Sequence, residues 1–467
     1  MTNFKNVLVS LLMLITSSVL AQQTNRQDAA KLNALQQKFV DLRFGMFIHY
    51  NIPTYANADW PDPEASPELF NPKHLDANQW AKAAKSANMS YGCLTTKHHS
   101  GFCIWDTKTT DYSVMNSPYK KDVVKQFTDA FRANGLKVML YYSILDTHHK
   151  IRPNQITHKD VEMIKQQITE LLTKYGKIEA LIIDGWDAPW SRISYDEVPF
   201  EDIYALIKTL QPECLVMDLN GAKYPAEGLY YTDIKTYEMG AGQRMSKDSK
   251  VMPSLACLPI NTSWFWKTDF PTVPVRKPDE IVNTLIKPLN AQSCNFILNV
   301  APNRDGLIDE NAIATLKEVG KLWKNEGGVA KLPPLDLPII SSNIAIDAPA
   351  NSSWSDDMNI MDFANDDSYR TSWTSNPAVA KPWFEVELKK DQPVNMIVIA
   401  EQKSNIDKYA LEYWNGVNWK ILFEGTNSEK IKIHRFDRIW TNKLRMRIGH
   451  SGETASIAEF QVFDERR

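Results

Sequence analysis

The sequence predicts an α/β fold, a (β/α)8-like TIM barrel, followed by a smaller antiparallel β-sandwich. Three observations carry this. From about residue 39 to residue 328, short apolar runs alternate with amphipathic helical stretches, the rhythm of a parallel sheet covered by helices, and the length suits a closed barrel. At Leu332-Pro333-Pro334-Leu335-Asp336-Leu337-Pro338 the rhythm stops in a stiff, extended connector. Beyond it the apolar period becomes 2, as in Trp383-Phe384-Glu385-Val386-Glu387-Leu388, which reads as short antiparallel strands. A chain of 467 residues also exceeds what one hydrophobic core usually holds. The expected division is a leader over 1–21, a barrel over 22–331, a proline-rich linker over 332–340 and a sandwich over 341–467.

Taken in order, the leader has Lys5 as its positive start, an apolar stretch over 7–15, and the small-residue site Val19-Leu20-Ala21 before Gln22. It is too short to span a membrane and predicts an exported protein, periplasmic or secreted. The barrel opens with a strand at 46–48 and a helix over 76–85 capped by Asp76. A strand at 91–95 follows, then a helix over 123–134 stopped by Gly135, a strand at 137–142 and a helix over 159–175 stopped by Gly176. Further strands are expected at 180–183, 215–217, 229–234 and 295–300, and further helices at 201–211, 279–291 and 311–325. Helical pattern thins between 218 and 266, so the later barrel is expected to be irregular. In the sandwich, runs at 383–388, 395–399, 409–414 and 444–448 alternate, and Asn415-Gly416 marks a turn.

Composition narrows the function. Net charge is −3, from 53 basic and 56 acidic residues with no basic run, which argues against nucleic acid or an anionic membrane as partner. Aromatics are abundant, with 14 Trp, 17 Tyr and 18 Phe, residues that suit sugar faces as well as cores. The five cysteines give no disulfide framework and read as small core residues, although the spacing of Cys93 and Cys103 also permits a bridge in an oxidising compartment.

Three predicted strand ends deliver polar groups: His49, the pair His98-His99 behind Lys97, and Asp184 before Gly185-Trp186. Asp184 could instead cap the next helix, but Asp187 stands nearby for that task. A metal reading of His98 and His99 is disfavoured, because neighbours on a strand face opposite ways and no other histidine completes a zinc spacing. Neutral imidazoles donate and accept, as sugar hydroxyls require. No Gly-x-Ser-x-Gly elbow and no phosphate loop occurs; Gly240-Ala241-Gly242 lacks the third glycine, and no cofactor is expected. Carboxylates with sugar-friendly aromatics remain, the equipment of a glycosidase.

At these residues the chain resembles the α-L-fucosidases of glycoside hydrolase family 29. Arg43-Phe44-Gly45-Met46-Phe47-Ile48-His49 resembles that family's first strand, and Leu94-Thr95-Thr96-Lys97-His98-His99-Ser100-Gly101-Phe102 with Trp105 its signature. Residues 135–143 resemble its third strand, and Phe296-Ile297-Leu298-Asn299-Val300-Ala301-Pro302-Asn303-Arg304-Asp305-Gly306 the segment closing the barrel. The resemblance implies a retaining exo-α-L-fucosidase acting on a fucosylated oligosaccharide or glycoconjugate. It implies Asp184 as nucleophile, His49, His98, His99 and Tyr141 as holders of fucose hydroxyls, and Trp60, Trp105 and Trp186 beside the sugar. The acid/base is among Glu238, Asp233 and Glu227, with Glu238 preferred at the end of the run 230–237. Trp264, Phe265 or Trp266 would offer the sugar methyl an apolar niche. A carbohydrate-binding protein with an inactive barrel and a glycosidase for a related sugar are the competing readings. The sandwich resembles a discoidin, or coagulation factor 5/8 C-type, module, expected to buttress a barrel that holds every catalytic residue.

Overall fold

Eight strands form one sheet in the order β5-β4-β3-β2-β1-β8-β7-β6. They are β1 (Phe44–Ile48), β2 (Tyr91–Lys97), β3 (Lys137–Ser143), β4 (Ala180–Asp184), β5 (Leu215–Asp218), β6 (Lys235–Glu238), β7 (Ser254–Pro259) and β8 (Cys294–Asn299). All recorded ladders are parallel. This computed structural model describes residues 31–466 apart from 187, 189, 196, 221–231, 244, 246–252, 329, 333–338, 342, 452 and 453. The leader, Glu227 and most of the proline-rich linker therefore lie outside the described residues.

Most of the strands are largely apolar because both faces are buried; β6, Lys-Thr-Tyr-Glu, is buried but polar. Phe47, Cys93, Met139, Tyr141, Ile182, Met217 and Ile297 fill the barrel interior. Leu94, Leu140, Leu181 and Leu298 point the other way, onto the surrounding helices. Those helices begin where the caps require. Asp76 accepts from the N–H groups of Asn78 and Gln79 (2.8 and 3.2 Å), and Thr157 with Asp160 forms a capping box ahead of His158–Lys174.

Between β5 and β6 no ladder is recorded among the described residues. The seam is stitched by side chains and single bonds. The Asp233 N–H donates to the Val216 carbonyl (2.7 Å), the Val216 N–H donates back to the Asp233 carboxylate (2.9 Å), and the Asp218 N–H donates to Thr232 Oγ1 (3.2 Å). Thr236 Oγ1 also donates to the Asp218 carbonyl. Buried backbone groups that lose a ladder must find such partners.

Several expectations need correction. The expected strand at 229–234 is instead β6, which starts at Lys235, with 229–231 outside the described residues. Strand β7 escaped notice because Ser-Leu-Ala-Cys-Leu-Pro has neither a clear period nor strong β-formers. The expected helix at 279–291 carries a π-helical turn, Ile281–Ile286, inside 278–290. Pro288 accounts for it: the ring has no N–H and would clash with the carbonyl four residues back. All five cysteines are free, Cys93 inside the barrel and Cys103 outside it, so no Cys93–Cys103 bridge forms. The later barrel is irregular, with no α-helix described between β5 and Pro278.

The C-terminal unit is a seven-stranded antiparallel sheet with its own core around Trp373, Phe384, Ile397, Leu411 and Phe460. The runs at 383–388 and 395–399 are one bent strand, Trp383–Glu401, whose register shifts flank Pro393. Gly416, at φ +92°, makes the expected turn. Alternation on the bent strand has a further result: Ile397 and Ile399 face the sandwich core, while Met396 and Val398, with Phe463, join the apolar cluster of the barrel. Among the described residues no helix is long and apolar enough to cross a membrane.

Candidate active site

The C-terminal ends of the strands surround a cavity of about 690 Å³. Behind its wall, outside the barrel interior, lies a buried ion pair. Lys97, last residue of β2, lies 3.3 Å from Asp146 with both side chains fully buried, and its ammonium sits over the Tyr142 ring. Asp146 also accepts from the backbone N–H of His149 (2.9 Å) and lies 2.8 Å from His149 Nδ1. Gly101, at φ +87°, is obligatory, since a Cβ there would stand 2.1 Å from Asp146 Oδ1. Burial alone would raise the Asp146 pKa, but the charge of Lys97 and the His149 bonds outweigh it and hold the carboxyl down at about 2.

Removing one partner of such a pair strands the other. Lys97→Met is expected to cost about 3–5 kcal/mol in denaturant unfolding, and adding Asp146→Asn should recover part of it. The pH sign follows from the depressed value. This contribution is present above the ordinary carboxyl range and is lost as pH falls through about 2. An undiminished unfolding free energy in Lys97→Met would show that the pair does not stabilise the fold.

In the cavity the imidazoles have defined tautomers. His49 Nδ1 is 2.8 Å from Asn299 Oδ1, and Asn299 donates its amide to the Trp264 carbonyl (2.7 Å), so His49 Nδ1 carries the hydrogen. His99 Nδ1 is 2.8 Å from Ser143 Oγ, whose own hydrogen goes to the Leu145 carbonyl (2.8 Å), so His99 Nδ1 is likewise the donor. Both rings therefore present a lone pair at Nε2. Burial drives His49 down to about 3 and lowers His99 and His98 as well; for His99 the charge of Asp184 opposes the shift. The rings are neutral acceptors at ordinary pH. His98 Nδ1 is buried with no partner among the described residues, a polar atom awaiting a ligand.

Asp184 ends β4 and is 2% exposed. Gly185 follows at φ +112°, where a Cβ would meet Ile144 Cγ1 at 2.9 Å, so the chain turns sharply after the carboxylate. Tyr141 donates to Asp184 Oδ2 (2.6 Å), Asn220 donates to Oδ1 (3.4 Å), and His99 Nε2 stands 3.6 Å from Oδ2. Glu238 ends β6 and lines the same cavity, with Oε2 unpartnered among the described residues. Its pKa is pushed up to about 8, chiefly by burial and next by the Asp184 carboxylate, against the opposing charge of Arg370. One carboxyl thus favours its protonated form beside another held by hydrogen-bond donors, a division that acid-assisted displacement can use.

The aromatic wall departs from expectation. Trp60 is placed in the cavity, stacked on His99 (4.8 Å between centroids, 23°). Its neighbour Asp59 is tied to Lys267 (2.6 Å) and Ser263 (2.7 and 2.8 Å). Trp264 and Phe265 also line it, whereas Trp266 turns away to bond Asp309 (2.7 Å). Trp105 and Trp186 are corrections. Trp105 is fully buried and donates to Glu170 (2.8 Å), and Trp186 is fully buried between Tyr195 and Phe200, donating to the Val198 carbonyl (2.9 Å). Each indole N–H found a partner in the helical shell, and neither ring reaches the cavity. Asp233 is equally committed elsewhere, to Lys208 (2.7 Å) and Tyr204 (2.9 Å) at the seam. Sequence reasoning missed Asn220, Asn299, Trp190 and Arg370. Asn299 was within the quoted closing segment, but nothing in it told a ligand-facing amide from one that orients a histidine.

Comparison with known proteins agrees with this geometry. The alpha-L-fucosidase family profile matches residues 55–328, and the F5/8 type C domain profile matches residues 347–460. Alpha-L-fucosidase 1 of Arabidopsis thaliana is 31% identical over 328 residues, spanning 66% of this chain and 60% of the plant protein. The human tissue alpha-L-fucosidase is 25% identical over 302 residues, spanning 62% and 60% of the two chains. This chain therefore spans about three fifths of the length of either relative. Among solved structures, alpha-L-fucosidase isoenzyme 1 from Paenibacillus thiaminolyticus shares the fold at a TM-score of 0.53, covering 90% of this chain and 100% of that one at 21% identity. A Ruminococcus gnavus GH29 fucosidase in complex with fucose shares it at 0.50, covering 93% and 94% at 20% identity. With a matching profile over more than half its length and the carboxylate-lined barrel mouth described above, the chain belongs to the alpha-L-fucosidase family of glycoside hydrolases.

Proposed function

We propose that this protein is an exported, retaining exo-α-L-fucosidase that removes terminal α-L-fucosyl residues from glycans. The observation that carries the reading is the pair of buried carboxyls in one cavity, Asp184 fixed by Tyr141 and Asn220, and Glu238 with its pKa raised to about 8. In the first step the Asp184 carboxylate attacks the anomeric carbon, the glycosidic C–O bond breaks, and the proton of Glu238 passes to the departing oxygen. In the second, the Glu238 carboxylate takes a proton from water, the oxygen of that water attacks the anomeric carbon, and Asp184 leaves. Two inversions give net retention.

Binding of the sugar follows from the neutral rings. The Nε2 lone pairs of His49 and His99 accept from sugar hydroxyls, His98 adds its unpartnered Nδ1, and Trp264 with Phe265 supplies an apolar wall for the methyl group at C5. Export rests on Lys5, the apolar stretch over 7–15 and Ala21.

Proton NMR during hydrolysis of an aryl α-L-fucoside by the purified protein tests the reading. The α-anomer of fucose should appear first and mutarotate later. First appearance of the β-anomer would overturn the nucleophile role of Asp184. Binding of fucose without turnover of any fucoside would favour the carbohydrate-binding alternative.

A further inference from the structure

The barrel carries both candidate carboxyls, Asp184 and Glu238, but it does not supply the whole cavity wall. Arg370 comes from the sandwich, yet its side chain lines the catalytic cavity. Its Nε donates to the Ala241 carbonyl (3.0 Å) and its Nη2 to the Gly240 carbonyl, so it grips the turn that directly follows Glu238. Gly242, at φ +87°, leaves room for it, because a Cβ there would stand 3.1 Å from Arg370 Cγ. The loop carrying Arg370 is itself braced. Asp366 accepts from Thr371 Oγ1 (2.8 Å) and from the Ser368 N–H (3.0 Å), and its carbonyl accepts from Arg192 of the barrel (2.8 Å).

A second cavity, of about 190 Å³, lies at this junction and shares Trp190, Ala241 and Arg370 with the first. Its remaining wall includes the side chains of Asn220 and Gln243 from the barrel and Asp367 from the sandwich. Asn220 is 2% exposed, and its Oδ1 is buried with no partner among the described residues, while its amide points at Asp184. A buried acceptor beside the nucleophile and on the wall of a second cavity implies a ligand hydroxyl.

We infer that barrel and sandwich together form the subsite for the leaving group, a neutral hexose or N-acetylhexosamine at the non-fucose side of the scissile bond, with Arg370 as its specificity-determining residue. The inference rests on the proposed function. Glu238 must protonate the bridging oxygen, so the sugar attached to that oxygen lies along the Glu238 turn, where Arg370 and Trp190 wait. Trp190, 37% exposed, offers an aromatic face for ring C–H groups, and the guanidinium and the Asn220 and Gln243 amides offer bonds to hydroxyls. Because the loop is braced beforehand, little ordering is left for binding to accomplish.

The test uses the full chain and two substrates, fucosylated lactose trisaccharides and 4-nitrophenyl α-L-fucoside. Arg370→Ala should lower kcat/KM on the best trisaccharide by roughly tenfold or more beyond its effect on the aryl fucoside. It should also weaken inhibition by lactose by a similar factor. Arg370→Lys, which keeps the charge without the fork, should recover only part of the trisaccharide rate. Trp190→Ala, on the barrel side, should shift the substrate ratio the same way and reads the subsite even if the Arg370 variants fail to fold. An unchanged ratio of the two substrates, with lactose inhibition unaltered, overturns the subsite while leaving the fucosidase reading intact. A wild-type protein that cleaves neither substrate overturns the fucosidase reading, and the subsite with it.

Discussion

Asp184→Asn is expected to fold normally and to lose on the order of 10⁴-fold or more in kcat on any fucoside. The amide keeps the shape and the Asn220 and Tyr141 neighbours, but it cannot form the glycosyl ester. His99 Nε2, 3.6 Å away, is no substitute, since in the proposed mechanism its lone pair is engaged by a sugar hydroxyl. Asp184→Ala goes further by opening space beneath the anomeric carbon. Azide should then occupy that space, restore part of the rate with an activated aryl fucoside, and yield the β-fucosyl azide. Turnover near wild type in either variant would remove Asp184 from the mechanism.

Glu238→Gln should show the other half of the reaction. Loss of the proton donor is expected to lower kcat/KM on oligosaccharides by roughly 10²–10⁴-fold, and far less on aryl fucosides whose leaving group needs little protonation. The pH profile supplies a second reading. Glu238 must be protonated to act, and its pKa is raised to about 8, so kcat/KM of the wild type should fall as pH rises through about 8. The variant should lack that alkaline limb. Equal losses on both substrate kinds would place the donor elsewhere, and Asp233, already bound to Lys208 and Tyr204, would not be the replacement.

The sequence disclosed much of this arrangement because some residues announce themselves locally. Asp184 follows the apolar run Ala180-Leu181-Ile182-Ile183 and precedes Gly185, the place where a strand hands its last side chain to the barrel mouth, and β4 indeed ends on it. The pair His98-His99 sits just past β2, in the position where side chains leave the ladder. Tryptophan was the least informative residue. Trp60 reached the site and Trp105 and Trp186 did not, because an indole meets its needs equally well against a sugar or against Glu170 and Val198 in the shell. Long-range partners left no local mark at all. Arg370 lies 132 residues beyond Glu238 in a module of different architecture, and only folding brings the two together. Strand β7 was invisible for a simpler reason, since its burial is imposed by β6 and β8 rather than advertised by its own residues.

The stitched junction at Asp233 has a bearing on stereochemistry. Asp184 stands on β4, one ladder away from β5, and Glu238 stands on β6, so the two carboxyls face each other across the junction rather than along continuous ladders. Separation between such carboxyls decides whether a glycosidase retains or inverts the anomeric centre. In this barrel the junction between their strands is held by one backbone bond, two threonine hydroxyls and the Asp233 carboxylate instead of a row of amide pairs. The seam between the strands that carry the two carboxyls therefore consists largely of side chains, and substitutions at Thr232, Asp233 or Thr236 act on it without rebuilding a strand.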